Sequence, residues 1–154
     1  MSGTSNGIID DFNGTLWTQE SYFNYLRRNN RTFAGYYQED PWALFYFHDT
    51  NIPPNVNYMH EMDPYFFEDV YAGRLPHFTW LQPQMNAHKS PPNWQHPDAS
   101  VIEGERLIKR IYEALRRGPQ WNNTLFLITY GEFPFHSQPN MSTNSFLFER
   151  RARR

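Results

Sequence analysis

Apolar and polar positions change rhythm several times along the chain, and each change marks an element. Residues 1–16 are rich in Gly, Asn, Ser, Thr and Asp and predict a loop. Residues 17–28 predict a helix, with Trp17, Tyr22, Phe23, Tyr25 and Leu26 as packing residues and Arg27-Arg28 in the last turn. Thr32–Tyr37 is β-branched and aromatic and predicts a strand. Residues 49–62, with Pro53-Pro54, predict a loop. Asp63-Pro64 is a helix start, since Asp accepts orphan amides and Pro fits the first turn. Gly73 is its stop. His77–Leu81 predicts a second strand, and residues 82–97 a Pro/Asn/His-rich loop.

The clearest pattern lies between Ser100 and Arg117. Ser100-Val101-Ile102-Glu103 has the form of a capping box, and Val101, Gly104, Ile108, Ile111, Tyr112 and Leu115 recur at helical spacing. Lys109, Arg110, Arg116 and Arg117 lie toward the C-terminal end, where the helix dipole favours cations, and Gly118-Pro119 ends the helix. Thr124–Tyr130 is apolar on both faces, which predicts a buried parallel strand. Strands alternating with helices predict the α/β class, a mostly parallel sheet flanked by helices. Ligands in such sheets bind beyond the carboxyl ends of the strands, here the loops after Tyr37, Leu81 and Tyr130.

Composition narrows the function classes. The chain has 154 residues, enough for one domain with a real core. A net charge of -2 offers no basic face, so no nucleic-acid partner is expected, and the basic run Arg150–Arg154 reads as a solvated tail. Aromatics at 18% are too many for a disordered chain. They suit a loop-rich domain and, as a minor reading, a carbohydrate-binding module. The absence of cysteine excludes disulfides and thiol chemistry. No stretch approaches the ~20 apolar residues of a membrane helix. Ser2–Gly7 has no signal-peptide character, while sequons at Asn13, Asn30, Asn122 and Asn140 are compatible with secretion.

Three positions suggest chemistry, each with a plainer reading as an ordinary loop polar group. His96, in the loop after the second strand, could donate to a phosphoryl oxygen or bind a metal. Glu132, just beyond the most apolar strand, is placed to hold a cation. Thr4, in the turn Gly3-Thr4-Ser5-Asn6-Gly7, presents a hydroxyl on a backbone that glycine lets bend sharply. His48-Asp49 and His60-Glu61 with Asp63 lack zinc-helix spacing and read as loop polar groups, and His77 and His88 have no partner that the sequence names. No phosphate loop, dinucleotide fingerprint or Ser-His-Asp arrangement is present.

Several separate stretches, in order, resemble one family. Gly104 to Tyr130 resembles the late region of phosphoesterase-family proteins, which include plant non-specific phospholipases C, bacterial phospholipases C and acid phosphatases, and fungal relatives. Gly73-Arg74-Leu75-Pro76 resembles the family's Gly-x-Leu-Pro strand, Asn93–Pro97 its Asn-Asp-x-His-Pro loop, and Ser2–Gly7 the turn bearing its nucleophile. The resemblance implies a partial alkaline-phosphatase-like sandwich over residues 1–130, with 131–154 a divergent C-terminal tail. It also implies metal-assisted hydrolysis of a phosphoric ester, the substrate being a phospholipid or a phosphomonoester. Matched residue by residue, Thr4 is the nucleophile, with Ser5 as fallback. His96 and Asn93 are the substrate-binding pair, and Glu132 with Thr4 the ligands of a divalent metal ion. A secreted or membrane-peripheral location follows from the family alone.

The departures are specific. Where the family has Asp-Glu-His-Gly-Gly-Phe, this chain has Gly131-Glu132-Phe133-Pro134-Phe135-His136, so Gly131 replaces the Asp and Phe133 the His. Trp94 stands where an Asp is frequent, and the family's early Glu-Asn metal ligands have no counterpart. The chain is therefore expected to be a fragment incomplete at both ends, with an exposed sheet edge, weak stability and impaired hydrolysis. The alternative expectation is a non-catalytic pseudoenzyme that binds a phospholipid headgroup or a protein partner.

Overall fold

Three short strands, two of them rich in aromatic residues, lie side by side. In the computed structural model, which describes residues 2–4, 16–41, 46–86, 90–96, 99–130 and 144–150, β1 (Phe33–Tyr37) lies between β2 (Met59–Glu61) and β3 (Phe78–Gln82). All three run parallel, with Phe33 opposite Phe78 and Tyr36 opposite Leu81. The sheet continues through β5 (Asn144–Arg150) to β4 (Thr124–Tyr130), in the order β2-β1-β3-β5-β4, and β5 is antiparallel to both its neighbours. β2 falls in a segment expected to be loop. Its three residues are too few to show a period.

Among the described residues, three helices flank the sheet: α1 (Tyr22–Arg28), α2 (Phe67–Ala72) and α3 (Val101–Arg117). α1 starts later than predicted. Trp17 pairs with the backbone beside Phe47 instead, donating from its amide to Tyr46 O at 2.7 Å, and Ser21 caps the helix by accepting from Asn24 N at 3.1 Å. Before α2 comes a π turn, Met62–Phe66. Asp63, expected to cap the helix, instead binds the Arg110 guanidinium of α3, a charged partner that outweighs neutral amides. Gly73 ends α2 as expected, at φ 68°, a left-handed conformation that costs glycine least.

α3 matches its predicted bounds, but not its predicted cap. The Ser100 side chain makes no capping bond, and the Glu103 carboxylate pairs with Arg106 one turn on. The buried stripe is also turned from the predicted one. Leu107, Ile111, Ala114 and Leu115 point inward with Gly104, whereas Val101 and Tyr112 are exposed. Packing holds this helix: burying a Leu or Ile side chain contributes about 1.5–3 kcal/mol, more than a typical cap of about 1 kcal/mol.

The core has two parts, one on each face of the sheet. Ala34, Tyr36 and Leu81 meet Met62, Phe66, Val70, Leu107, Ile111, Ala114 and Leu115. On the opposite face, Phe33 and Phe78 meet Phe23 and Leu26 of α1. This is the expected α/β arrangement, with helices on both sides of a parallel centre.

The expectation for Thr124–Tyr130 is corrected. β4 is an edge strand, bonded antiparallel to β5, and Leu125, Leu127 and Ile128 are 41%, 36% and 39% exposed. Phe126 of β4, partly buried, packs against the central core. β5 takes the inner slot between β3 and β4. Residues 144–150, part of the expected divergent tail, are thus a strand of the sheet.

Candidate functional site

The carboxyl ends of β1 and β3 carry a run of polar residues. After β1 come Gln38, Glu39 and Asp40; β3 ends in Gln82, followed by Pro83 and Gln84. Buried polar groups must be hydrogen bonded, and here they fold the loop on themselves. Gln82 Nε2 donates to Asp40 O at 2.5 Å. Gln84, almost fully buried, donates from Nε2 to Asn86 O and Ser90 O at 2.7 and 2.6 Å and accepts from Ser90 Oγ at 2.5 Å. The buried Glu39 accepts from Asn86 N at 2.9 Å through Oε2.

Asn93 joins the two strand ends. Its Oδ1 accepts from Gln84 N and its Nδ2 donates to Gln38 Oε1, both at 2.8 Å, while its own amide donates to Gln84 O at 3.0 Å. The amide side chain is therefore fixed by the scaffold, with one donor and one acceptor position left over. Three residues on, His96 is only 8% exposed and lies flat on the Trp94 indole, centroid to centroid 4.3 Å at 10°. Between them Gln95 turns the chain at φ 59°, and His96 O accepts from Ala99 N at 2.8 Å as the chain approaches α3.

Of the sequence-predicted residues, Asn93 and His96 lie in this one loop, each with its own partners. Thr4 is exposed, and its carbonyl accepts from Ser2 Oγ at 2.5 Å. Ser5 and Glu132 lie outside the described residues. Gln38, Glu39, Gln82 and Gln84 were not singled out from sequence. The available signal was polar residues following apolar strands directly at the rim where α/β sheets bind ligands.

The rim beside β1 is acidic. Burial, then the charges of Glu61 and Asp40, push the Tyr37 phenol above its ordinary range, which keeps it a neutral donor. Deeper in, Tyr36 donates to Asp69 Oδ2 at 2.7 Å, and burial followed by that bond and the Asp69 charge raises its phenol far above the usual value.

Among the described residues, no three His, Asp or Glu side chains lie close enough to hold a metal. The mixed clusters have other partners. Asp49 accepts from Ser21 N at 2.8 Å, the His60 ring lies beside Tyr36 and Tyr65, and His77 Nδ1 meets Thr32 Oγ1 at 2.8 Å. His88 lies outside the described residues. An open groove of about 530 Å³ between α2 and α3 has most of its charges paired, Arg110 with Asp63, Lys109 with Glu113 and Arg106 with Glu103. No helix among the described residues is long and apolar enough to cross a membrane.

The chain is 37% identical over 135 residues to non-specific phospholipase C6 of Arabidopsis thaliana, covering 85% of this chain and 26% of that protein. It is 36% identical to non-specific phospholipase C3 and 32% to non-specific phospholipase C1 of the same plant, again over 135 residues and 85% of this chain, which are 26% and 25% of those proteins. The chain thus spans about a quarter of the length of the curated relatives it matches. A model of the phosphoesterase family matches residues 2–140. With this match across most of its length, the chain belongs to the phosphoesterase family.

Proposed function

We propose that this chain is part of a hydrolase of phosphoric ester bonds, of phospholipase C or acid phosphatase type, acting on a phospholipid or a phosphomonoester. One observation carries the reading. The loop clamped by Asn93 to both strand ends holds a nearly buried imidazole, His96, at the rim of parallel strands in a phosphoesterase-family chain.

In the proposed reaction the Thr4 hydroxyl oxygen attacks phosphorus in line. The ester P–O bond breaks, and its oxygen leaves with a proton as an alcohol. Water then attacks the phosphothreonine, the bond from phosphorus to the Thr4 oxygen breaks, and the hydroxyl is restored as the phosphate compound departs. His96 donates to an equatorial oxygen, where negative charge gathers. Removing one such donor costs about 10²–10³ in rate in well-studied enzymes. Asn93 orients the loop and offers its remaining donor to the same group. Ser5 is the second candidate for the nucleophile.

A divalent cation belongs to the reading by family, with Thr4 and Glu132 as its ligands in this chain. A hard cation takes about six to eight oxygens, and the described residues by themselves offer no such set. Turnover by the 154-residue polypeptide alone is accordingly expected to be slow. Gly131 and Phe133, at positions where the family resemblance has Asp and His, favour a second reading, a non-catalytic chain that keeps headgroup or partner binding.

The deciding experiment supplies the purified chain with magnesium, manganese or calcium and either a short-chain phosphatidylcholine or a phosphomonoester. Turnover that falls at least ~100-fold in Thr4→Ala supports the enzyme reading. Saturable phosphate binding without turnover, lost in His96→Ala, supports the second. Neither turnover nor binding would remove both.

A further inference from the structure

Two local features around α3 run against backbone preference, and they meet at one contact. Gly104 is buried within the helix, where glycine is a poor choice. Gln95 has φ 59°, a region that residues with a Cβ avoid. A Cβ placed on residue 104 would fall on the Gln95 side chain, 2.6 Å from its Cδ and 2.9 Å from its Nε2. Only a glycine leaves the space that Gln95 fills. Gln95 Nε2 then donates to Val101 O at 3.2 Å and to Glu105 Oε1 at 3.0 Å, so the side chain lies across the first turn of α3.

The same turn determines where the neighbouring rings go. In an extended chain, residues two apart are separated by about 6.6 Å. Here the left-handed turn at Gln95 folds the Trp94 and His96 rings together at 4.3 Å and nearly parallel. Asn93 anchors one end of the segment to Gln38 and Gln84, and Gln95 anchors the other end to α3. The imidazole belongs to the residue that directly follows the second of these fixed points.

We propose that Gln95 is a positioning residue for His96: keyed into the notch at Gly104, it fixes the turn that lays the imidazole against Trp94 at the rim of the sheet. The functional sense of this rests on the reading of His96 as the phosphate-facing group. A donor that must meet a phosphoryl oxygen loses directionality if its ring can turn. Releasing the key should therefore weaken phosphate binding while the fold persists.

The test uses the full chain with isotope-labelled histidine, observed by NMR, and inorganic phosphate as the probe. In the wild type, the His96 ring protons should lie upfield because they sit over the Trp94 face, and phosphate should move them. Gln95→Gly suits the left-handed turn but removes the key. It should keep the circular dichroism spectrum, lose the upfield shift and weaken phosphate binding about tenfold, the scale of one hydrogen bond to a charged group. Gly104→Ala should lower the melting temperature, and the double variant should regain that loss, because the colliding side chain is gone, without regaining the upfield shift. An upfield shift that survives in Gln95→Gly overturns the proposal, as does a cost of Gly104→Ala that Gln95→Gly leaves untouched. A wild-type His96 signal indifferent to phosphate, with the shift still lost in Gln95→Gly, removes the phosphate reading and leaves the positioning role standing.

Discussion

Replacing Leu125 with lysine separates an edge strand from a buried one. Leu125 lies on β4, the last strand of the sheet, and is 41% exposed. A fully buried leucine side chain contributes about 1.5–3 kcal/mol, so a little over half of that, about 1–2 kcal/mol, is at stake. The lysine stem retains part of the contact while its ammonium stays in water, which brings the expected loss to about 1 kcal/mol. Had β4 been a central strand covered on both faces, the ammonium would be stranded without a partner. The loss would then be several kcal/mol for the charge in addition to the leucine. Against a typical domain stability of about 5–15 kcal/mol, that would unfold most of the protein. Urea denaturation followed by tryptophan fluorescence measures the difference. A loss above ~3 kcal/mol would refute the edge assignment. A second outcome is expected with it. An uncharged, apolar edge strand is a template for pairing with other chains, so lysine there should raise the soluble fraction on concentration.

Two further outcomes follow from the core. Ile111, fully buried where α3 meets the sheet, should cost about 2–5 kcal/mol when replaced by alanine, measured by the same denaturation; a cost below ~1 kcal/mol would show that α3 does not pack there. Tyr36 holds its proton in the folded state because of burial first and Asp69 second, while the unfolded chain releases it near pH ~10. The folded state then binds more protons than the unfolded one above that pH, so stability should be intact below about pH 10 and fall by up to about 1.4 kcal/mol per pH unit above it. Tyr36→Phe should flatten this alkaline decline without abolishing it, since Tyr37 is raised in the same direction. An unchanged slope in melting experiments from pH 9 to 11 would exclude Tyr36 as the source.

Two residues of the candidate site were legible in the sequence, and the framework that holds them was not. His96 stands out because a polar loop follows an apolar strand at the rim where ligands of α/β sheets bind, whereas Asn93 comes from the resemblance of residues 93–97 to a family loop. Gln38 and Gln84 were not found. Their role is to meet Asn93 from 55 and 9 residues away, and glutamines in a polar stretch carry no pattern. Gln95 was equally silent: its importance comes from a glycine on a helix that begins after it, and from a backbone angle that no local preference announces.

The residues themselves determined the helix from 101 to 117, the stop at Gly73, the strands around Phe33–Tyr37 and Phe78–Gln82, the α/β class and the family motifs. Each rests on propensity, capping or spacing within a few turns of chain. Tertiary structure alone decided which strands are neighbours. Thr124–Tyr130 is apolar enough to be a central strand, but its place depends on β5 pairing on its inner side, a contact between distant segments. Competition between partners likewise decided the fate of Asp63, taken by Arg110 from another layer, whereas at the start of α3 it is a local pair, Glu103 with Arg106, that stands where the capping box was expected. Short-range chemistry sets what each segment prefers to be. Long-range packing sets what each segment touches, and the candidate site is made of such contacts.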